Sequence, residues 1–160
     1  MRKIKKKFKK PKAPWDKERI EKENELMKKF GLRRKREIWK AESILRSFRR
    51  RARDLAARRD KEQEKILLDK LYRMGLLEKN ASLDDVLSLT VENILERRLQ
   101  TLVFKKKLAN TPKQARQFIT HGHIAVNKRK NVYPSFLVPR ELEDKISIHE
   151  TSTLTKQKSG

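Results

Sequence analysis

Six apolar residues, Ile38, Ala41, Leu45, Phe48, Ala52 and Leu55, recur at alternating steps of three and four in a stretch otherwise rich in Arg and Lys. At about 100° per residue they draw one stripe down a helix running from about Arg34 to Arg59. A helix with one dry face must lay it against other elements, so this half of the chain is committed to helix packing. Away from the stripe lies a ridge of Arg46, Arg50 and Arg53, with Arg49 beside them in FRRRAR. Almost no acid intervenes, so like charges sit side by side and destabilise the free helix. Guanidinium forks match the oxygens of a phosphate backbone, and such a ridge is predicted to bind one.

The charge distribution extends this argument. The 160 residues carry a formal net charge of +23, with 41% charged and only 36% hydrophobic residues. That excess is self-repelling without an anionic partner, which points to nucleic acid or an acidic membrane surface. No apolar run approaches the roughly 20 residues of a transmembrane helix. The basic MRKIKKKFKK start lacks the apolar segment of a secretory signal, and Pro11 and Pro14 interrupt any amphipathic presequence. Cysteine is absent, so disulfides and cysteine-bound zinc are excluded, in keeping with an intracellular setting. Residues 1–60 hold 25 Lys and Arg against 9 acids, residues 61–90 hold 5 against 6, and residues 91–160 hold 14 against 6. Two basic surfaces joined by a neutral helical connector are expected.

Residues 1–14 read as a basic, disordered arm. Residues 15–90 read as a helical N-terminal domain. Asp16 caps a first helix to Phe30, where Gly31 and Leu32 form the stop. After the striped helix comes a third, with Leu67, Leu71 and Met74 inward, Tyr72 in the core and Gly75 as its stop. Ser82 and Asp85 form a capping box for a short helix through Leu87. Thr90 opens a helix to about Leu108, with the stripe Val91, Leu95, Leu99 and Leu102. Its outer side is expected to carry Arg97, Arg98, Lys105, Lys106 and Lys107.

In TPKQARQFITHGHIAVNKRK, Thr111 to Lys130, the next elements are dense. Thr111 is an N-cap, Pro112 fits the first turn, and Gln114 completes a T-x-x-Q capping box. Ala115, Phe118 and Ile119 make the buried side; Lys113, Arg116 and Gln117 stay exposed. A phosphate at this helix start would meet backbone donors and the cations Lys113 and Arg116, with Arg97, Arg98 and Lys105 nearby. Gly122 ends the helix, Ile124 to Val126 form a strand, and Asn127-Lys128 a turn. Val132, Phe136, Val138, Ile146 and Ile148 predict further strands, and residues 151–160 a loose tail.

LERRLQTLVFKKKLANTPKQARQFITHGHIAVN (Leu95 to Asn127), followed by PSF (Pro134 to Phe136), closely resembles the S-four RNA-binding domain. PWDKERIEKENELMKKFGLRRKREIW (Pro14 to Trp39), FRRRARDL (Phe48 to Leu55) and LDDVLSLTVENILERRL (Leu83 to Leu99) are similar to the archaeal branch of the small-subunit ribosomal protein family that gives the domain its name. The resemblance covers roughly residues 14–150. It implies an α+β fold: a mainly helical N-terminal region followed, over residues 91–150, by a helix pair on a small curved sheet. It implies RNA contacts from Arg97, Arg98, Lys113, Gln114, Arg116, Gln117, His121, His123 and Asn127. Lys107 and Lys128 stand where the family often has glycine, which leaves the helix end and the hairpin turn open; Lys128 adds positive charge to the RNA side. The resemblance further implies a cytoplasmic, non-catalytic constituent of the small ribosomal subunit. Its partners would be 16S-type rRNA, neighbouring small-subunit proteins and mRNA at the entry side, with roles in early assembly of the body and in decoding accuracy.

Other chemistries fit less well. His121, His123 and His149 have no acid close in sequence, and two of them fall in the RNA-facing motif, so no metal is assigned. Asp84-Asp85 is a helix start rather than a catalytic pair. Trp15 and Trp39 could stack on bases, but large aromatics near helix starts more often anchor packing. No nucleophile motif or phosphate loop occurs, and no cofactor is implied. RNA-modifying enzymes that carry this module need a catalytic domain, for which the basic helices before it leave no room. A free-standing RNA-binding factor is the main alternative, with an RNA-modifying enzyme less favoured and a basic DNA-compacting protein a weaker rival.

Overall fold

The computed structural model describes residues 7–149 and Ser152. Five helices come first: α1 (Lys17–Phe30), α2 (Arg36–Arg58), α3 (Lys61–Arg73), α4 (Leu83–Ser88) and α5 (Val91–Glu96). Then follow α6 (Leu99–Lys105), α7 (Pro112–Thr120), β1 (Ile124–Val126), β2 (Arg129–Lys130), α8 (Arg140–Glu143) and β3 (Ile146–Ile148). The architecture is α+β, helical first and then a helix pair with a small antiparallel sheet of order β2-β1-β3.

The stripe on α2 is the axis of the first core. Ile38, Ala41, Leu45, Phe48 and Ala52 are buried, Leu55 packs at the edge, and the helix lies against α3, α4 and α5. Local chemistry sets the ends. The Asp16 carboxylate accepts from the Arg19 amide, and Gly31 at φ 59° returns the Leu32 amide to the Met27 carbonyl at 3.0 Å. Ser82 and Asp85 form the expected box on α4. Gly75 ends α3 at φ 70°, and Tyr72 is half-buried beneath the Arg140 guanidinium, 4.6 Å from its ring centre.

The helix expected over Thr90–Leu108 is two helices. At the break Arg98 is extended (φ −73°, ψ 143°) and pairs with Leu137 in an isolated bridge. The amides of Leu99 and Gln100, orphaned by the break, donate to Phe136 and Pro134 carbonyls at 2.8 and 3.3 Å, and the Val138 amide donates to the Arg97 carbonyl at 2.9 Å. The apolar period survives the break because its residues serve two cores: Ile94 and Leu95 close the first, while Leu99, Leu102 and Val103 open the second. In that second core α6 packs on α7, with Ala115 and Ile119 of α7, Ile124 and Val126 of β1, Val138 and Ile146. The strand expected around Val132, Phe136 and Val138 is absent; Pro134 and Pro139 break it up, and the segment instead caps α6.

Lys107 and Lys128, the two lysines expected at glycine positions, both adopt the left-handed conformation that favours glycine. Asn127 (φ 52°) and Lys128 (φ 64°) form the two-residue turn between Val126 and Arg129, the left-handed pair of a type I′ hairpin. Lys107 (φ 57°) follows α6, and the Leu108 amide returns to the Val103 carbonyl at 3.1 Å. The expected basic arm lies partly outside the described residues. Its later part has no regular element but touches α2, with the Phe8 ring 5.9 Å from that of Trp39 and the Lys9 amide 3.4 Å from Ser43 Oγ. Of the expected tail only Ser152 is described, and it is buried.

Candidate nucleic-acid interface

The outer face of α2 presents Arg46, Arg50 and Arg53 exposed to solvent. One carboxylate approaches them more closely than the sequence pattern suggested: Asp54 Oδ2 is 3.8 Å from Arg50 Nε, in an exposed i,i+4 pair. Arg49 behaves differently. It turns inward, donating to the Leu89 carbonyl at 2.6 Å and so tying α2 to the α4–α5 turn.

On the second half, Lys113, Gln117 and His121 recur at a spacing of four along one side of α7, and all are exposed. The hairpin tip continues this polar surface with Asn127 and Lys128, and with Arg129 and Lys130 of β2, two exposed cations that sequence reasoning did not single out. Their signal lay in plain view, as the basic pair directly after the two-residue turn. His123 is half-buried. Its ring stacks near-parallel to His121 with 6.2 Å between centroids, meets Phe118 edge-on, and holds Nδ1 2.9 Å from Ser152 Oγ. Lys105 is exposed but paired with Glu96 at 2.9 Å.

Three arginines read as outward-facing are turned in. Arg97 donates to the Glu143 carboxylate at 2.7 Å and to the Val138 carbonyl at 2.9 Å, lying where a side chain on Gly75 would collide with it. Arg98 is 5% exposed and donates to Glu37 at 2.5 Å. Arg116, half-buried, donates to both Glu37 oxygens at 3.1 Å. The helix break causes the first two corrections, since an extended Arg98 no longer follows the outer face of a continuous helix. Arg116 lies only about 60° round the helix from Lys113, and the Glu37 carboxylate of α2 draws it inward. Phe118 is also only half-buried.

The start of α7 is partly engaged by local hydrogen bonds and by α1's stop. Thr111 Oγ1 accepts from the Gln114 amide at 3.1 Å, but the Gln114 side chain reaches back to Asn110 rather than to the cap residue. Pro112 is pressed against Gly31, where an added Cβ would lie 2.7 Å from its Cβ and 3.1 Å from the Lys113 amide nitrogen. Gly31 therefore packs against one side of this helix start, while Thr111 and Lys113 stay exposed.

Glu37, which gathers Arg98 and Arg116, is a further residue that sequence reasoning did not single out. Its signal was a single acid inside the basic run LRRKREIWK. Burial alone would push its carboxyl up, but hydrogen bonds and charge from Arg98 and Arg116 hold it below its ordinary value. A second acid, Glu23, is 3% exposed and bonds Arg19 at 2.6 Å and the Trp39 indole at 2.9 Å, making Trp39 a packing anchor; Trp15, by contrast, is 90% exposed. Half-buried Glu42 is pushed up, first by burial and then by the charge of Glu23.

Among the described residues, no group of three His, Cys, Asp or Glu could hold a metal ion, and no helix is long and apolar enough to cross a membrane. Asp85, half of the acid pair, is engaged in the cap of α4.

Residues 2–96 match the ribosomal protein S4/S9 N-terminal domain, and residues 97–143 match the S4 domain. The small ribosomal subunit protein uS4 of Picrophilus torridus is 53% identical over 158 residues, covering 95% of this chain and 86% of that protein. The uS4 proteins of Methanococcus aeolicus and Sulfolobus acidocaldarius are each 55% identical, over 160 and 155 residues. These cover 98% and 94% of this chain, and 90% and 88% of those proteins. The two domain matches fall on either side of the α5–α6 break and together span nearly all the described residues, so the chain belongs to the uS4 family of small ribosomal subunit proteins.

Proposed function

We infer that this chain is a non-catalytic structural protein of the small ribosomal subunit that binds 16S-type rRNA through two basic faces. One face is Arg46, Arg50 and Arg53 on α2. The other is Lys113, Gln117 and His121 on α7 with Asn127, Lys128, Arg129 and Lys130 of the hairpin. The observation that carries the reading is the α2 face: three exposed arginines opposite the apolar stripe, with Asp54 3.8 Å from Arg50 and the charge of half-buried Glu42 acting on Arg46. A helix gains nothing in isolation from such a row, whereas phosphates neutralise it. Arg97, Arg98 and Arg116 support the fold that presents these faces. Arg49 and Gln114 belong with them, and Lys105 and His123 border the second face.

Family membership supports a place among neighbouring small-subunit proteins, early organisation of the subunit body, and an influence on decoding accuracy near the mRNA entry. The test is binding to in vitro transcribed small-subunit rRNA across a salt series. If on the order of six to ten phosphates are contacted, affinity drops by orders of magnitude from low to moderately high salt. A nearly flat dependence contradicts the reading.

A further inference from the structure

The two halves meet at a seam built from polar groups. Gln100, 1% exposed on α6, shares the two N–H groups of its side-chain nitrogen among the carbonyls of Phe30 at 3.1 Å, Gly31 at 3.0 Å and Pro112 at 3.0 Å. Its oxygen lies 3.5 Å from Arg116 Nη1. Beside it Glu37, in the first turn of α2, takes Arg98 from the α5–α6 break and Arg116 from α7, and also accepts from the Arg33 amide at 3.2 Å. Side-chain exposures of 15% for Glu37, 6% for Arg98 and 26% for Arg116 place the cluster mostly out of water.

A protein that binds RNA through cations has here withdrawn two arginines from its surface and spent them on one carboxylate. Stability alone does not require this, because a buried ion network is often no more stabilising than apolar packing of the same volume. Geometry does benefit. The carboxylate has two oxygens and the guanidinium donors are directional, so the three groups fix α2, the break and α7 relative to one another in a way that apolar contact does not.

Resting on the two-face reading above, we propose that Glu37 is a positioning residue for rRNA recognition: it locks the seam so that the α2 face and the α7–hairpin face reach the RNA as one rigid body. A loose seam leaves only a fraction of molecules with both faces correctly placed, and apparent affinity falls by that fraction. If Glu37 were instead only a mask over two cations, its neutralisation would have the opposite sign, releasing Arg98 and Arg116 to phosphates.

The experiment uses the full chain, with Glu37→Gln and, as the gentler break, Arg116→Gln, which keeps the Arg98–Glu37 pair. Because the sequence has no cysteine, spin labels placed through Gln63→Cys on α3 and Thr120→Cys on α7 report the distance between the halves. Affinity for in vitro transcribed small-subunit rRNA is measured over a salt series, with circular dichroism confirming the folded state. The expected result is a broadened distance distribution and an affinity lowered about fivefold to tenfold, with the salt slope of the parent. A rise in affinity with a steeper slope overturns the proposal in favour of the mask. Unchanged distances and affinity overturn it too, leaving the seam to Gln100 and apolar contact. If both variants fail to fold, Glu37 is a folding residue and the proposal falls. A parent with no salt-dependent binding removes the functional reading itself, whatever the labels report.

Discussion

Arg46, Arg50 and Arg53 on α2 and Arg97, Arg98 and Arg116 around the seam look alike in the sequence, yet they have opposite fates. The α2 group stands in water opposite a buried stripe, with one loose carboxylate at 3.8 Å. The seam group is turned inward onto Glu143 and Glu37 at distances from 2.5 to 3.1 Å. What separates them is the availability of a partner across the fold. On the reading proposed above, the first group meets RNA and the second holds the shape that presents it.

The largest effect is expected at the seam. Arg98→Met leaves Glu37 a mostly buried carboxylate with half its support, and should destabilise the chain by roughly 3–5 kcal/mol in denaturant melts. A loss below about 1 kcal/mol would move Arg98 into the surface class. The matching change on the other side is Arg46→Gln, Arg50→Gln and Arg53→Gln together. It should leave the melting temperature nearly unchanged and lower rRNA affinity by roughly a hundredfold at moderate salt, since each charge-assisted phosphate bond is worth about 1.5–3 kcal/mol before solvent screening. A drop in melting temperature with intact binding would invert the assignment.

The contrast also has a pH signature. The Glu37 carboxyl is held below its ordinary value of 4.5. A depressed carboxylate contributes stability that is full above the unfolded value and disappears as pH falls through the folded one. The stability gap between the parent and Glu37→Gln should therefore be constant above pH 4.5 and close below it. A gap that persists in strong acid would mean that Glu37 acts by packing alone. The smallest effect is expected from Asp54→Asn, which removes the exposed acid beside Arg50. It should raise rRNA affinity by about twofold and change stability by less than about 0.5 kcal/mol; a fall in affinity would show that the acid orders the arginines.

Much of this molecule was legible in the sequence because the deciding forces are local. The α2 stripe, the Asp16, Ser82 and Thr111 caps and the stops at Gly31, Gly75 and Gly122 all depend on residues within a turn of each other. The exposed face of α2 followed from the same periodicity. The α5–α6 break was illegible because Leu95 and Leu99 keep a helical spacing while serving different cores. The segment around Val138 alternates like a strand, yet its Pro134 and Phe136 carbonyls are taken by α6. The seam was hidden for a related reason. Glu37 is separated from Arg98 by 61 positions and from Arg116 by 79, and no local rule pairs them. For that reason an outward Arg116 was expected where an internal carboxylate holds it instead.

The central claim, that position in the fold sorts these arginines into RNA contacts and shape-holding contacts, is tested most directly by the salt slope of rRNA binding for Arg116→Gln set beside Arg50→Gln. An arginine on a phosphate releases counterions when it binds, so its loss lowers the slope by about one unit. Arg50→Gln is expected to flatten the slope by roughly that amount, while Arg116→Gln weakens binding with the slope of the parent. A slope for Arg116→Gln that falls as far as that of Arg50→Gln would put Arg116 on the RNA and contradict the account.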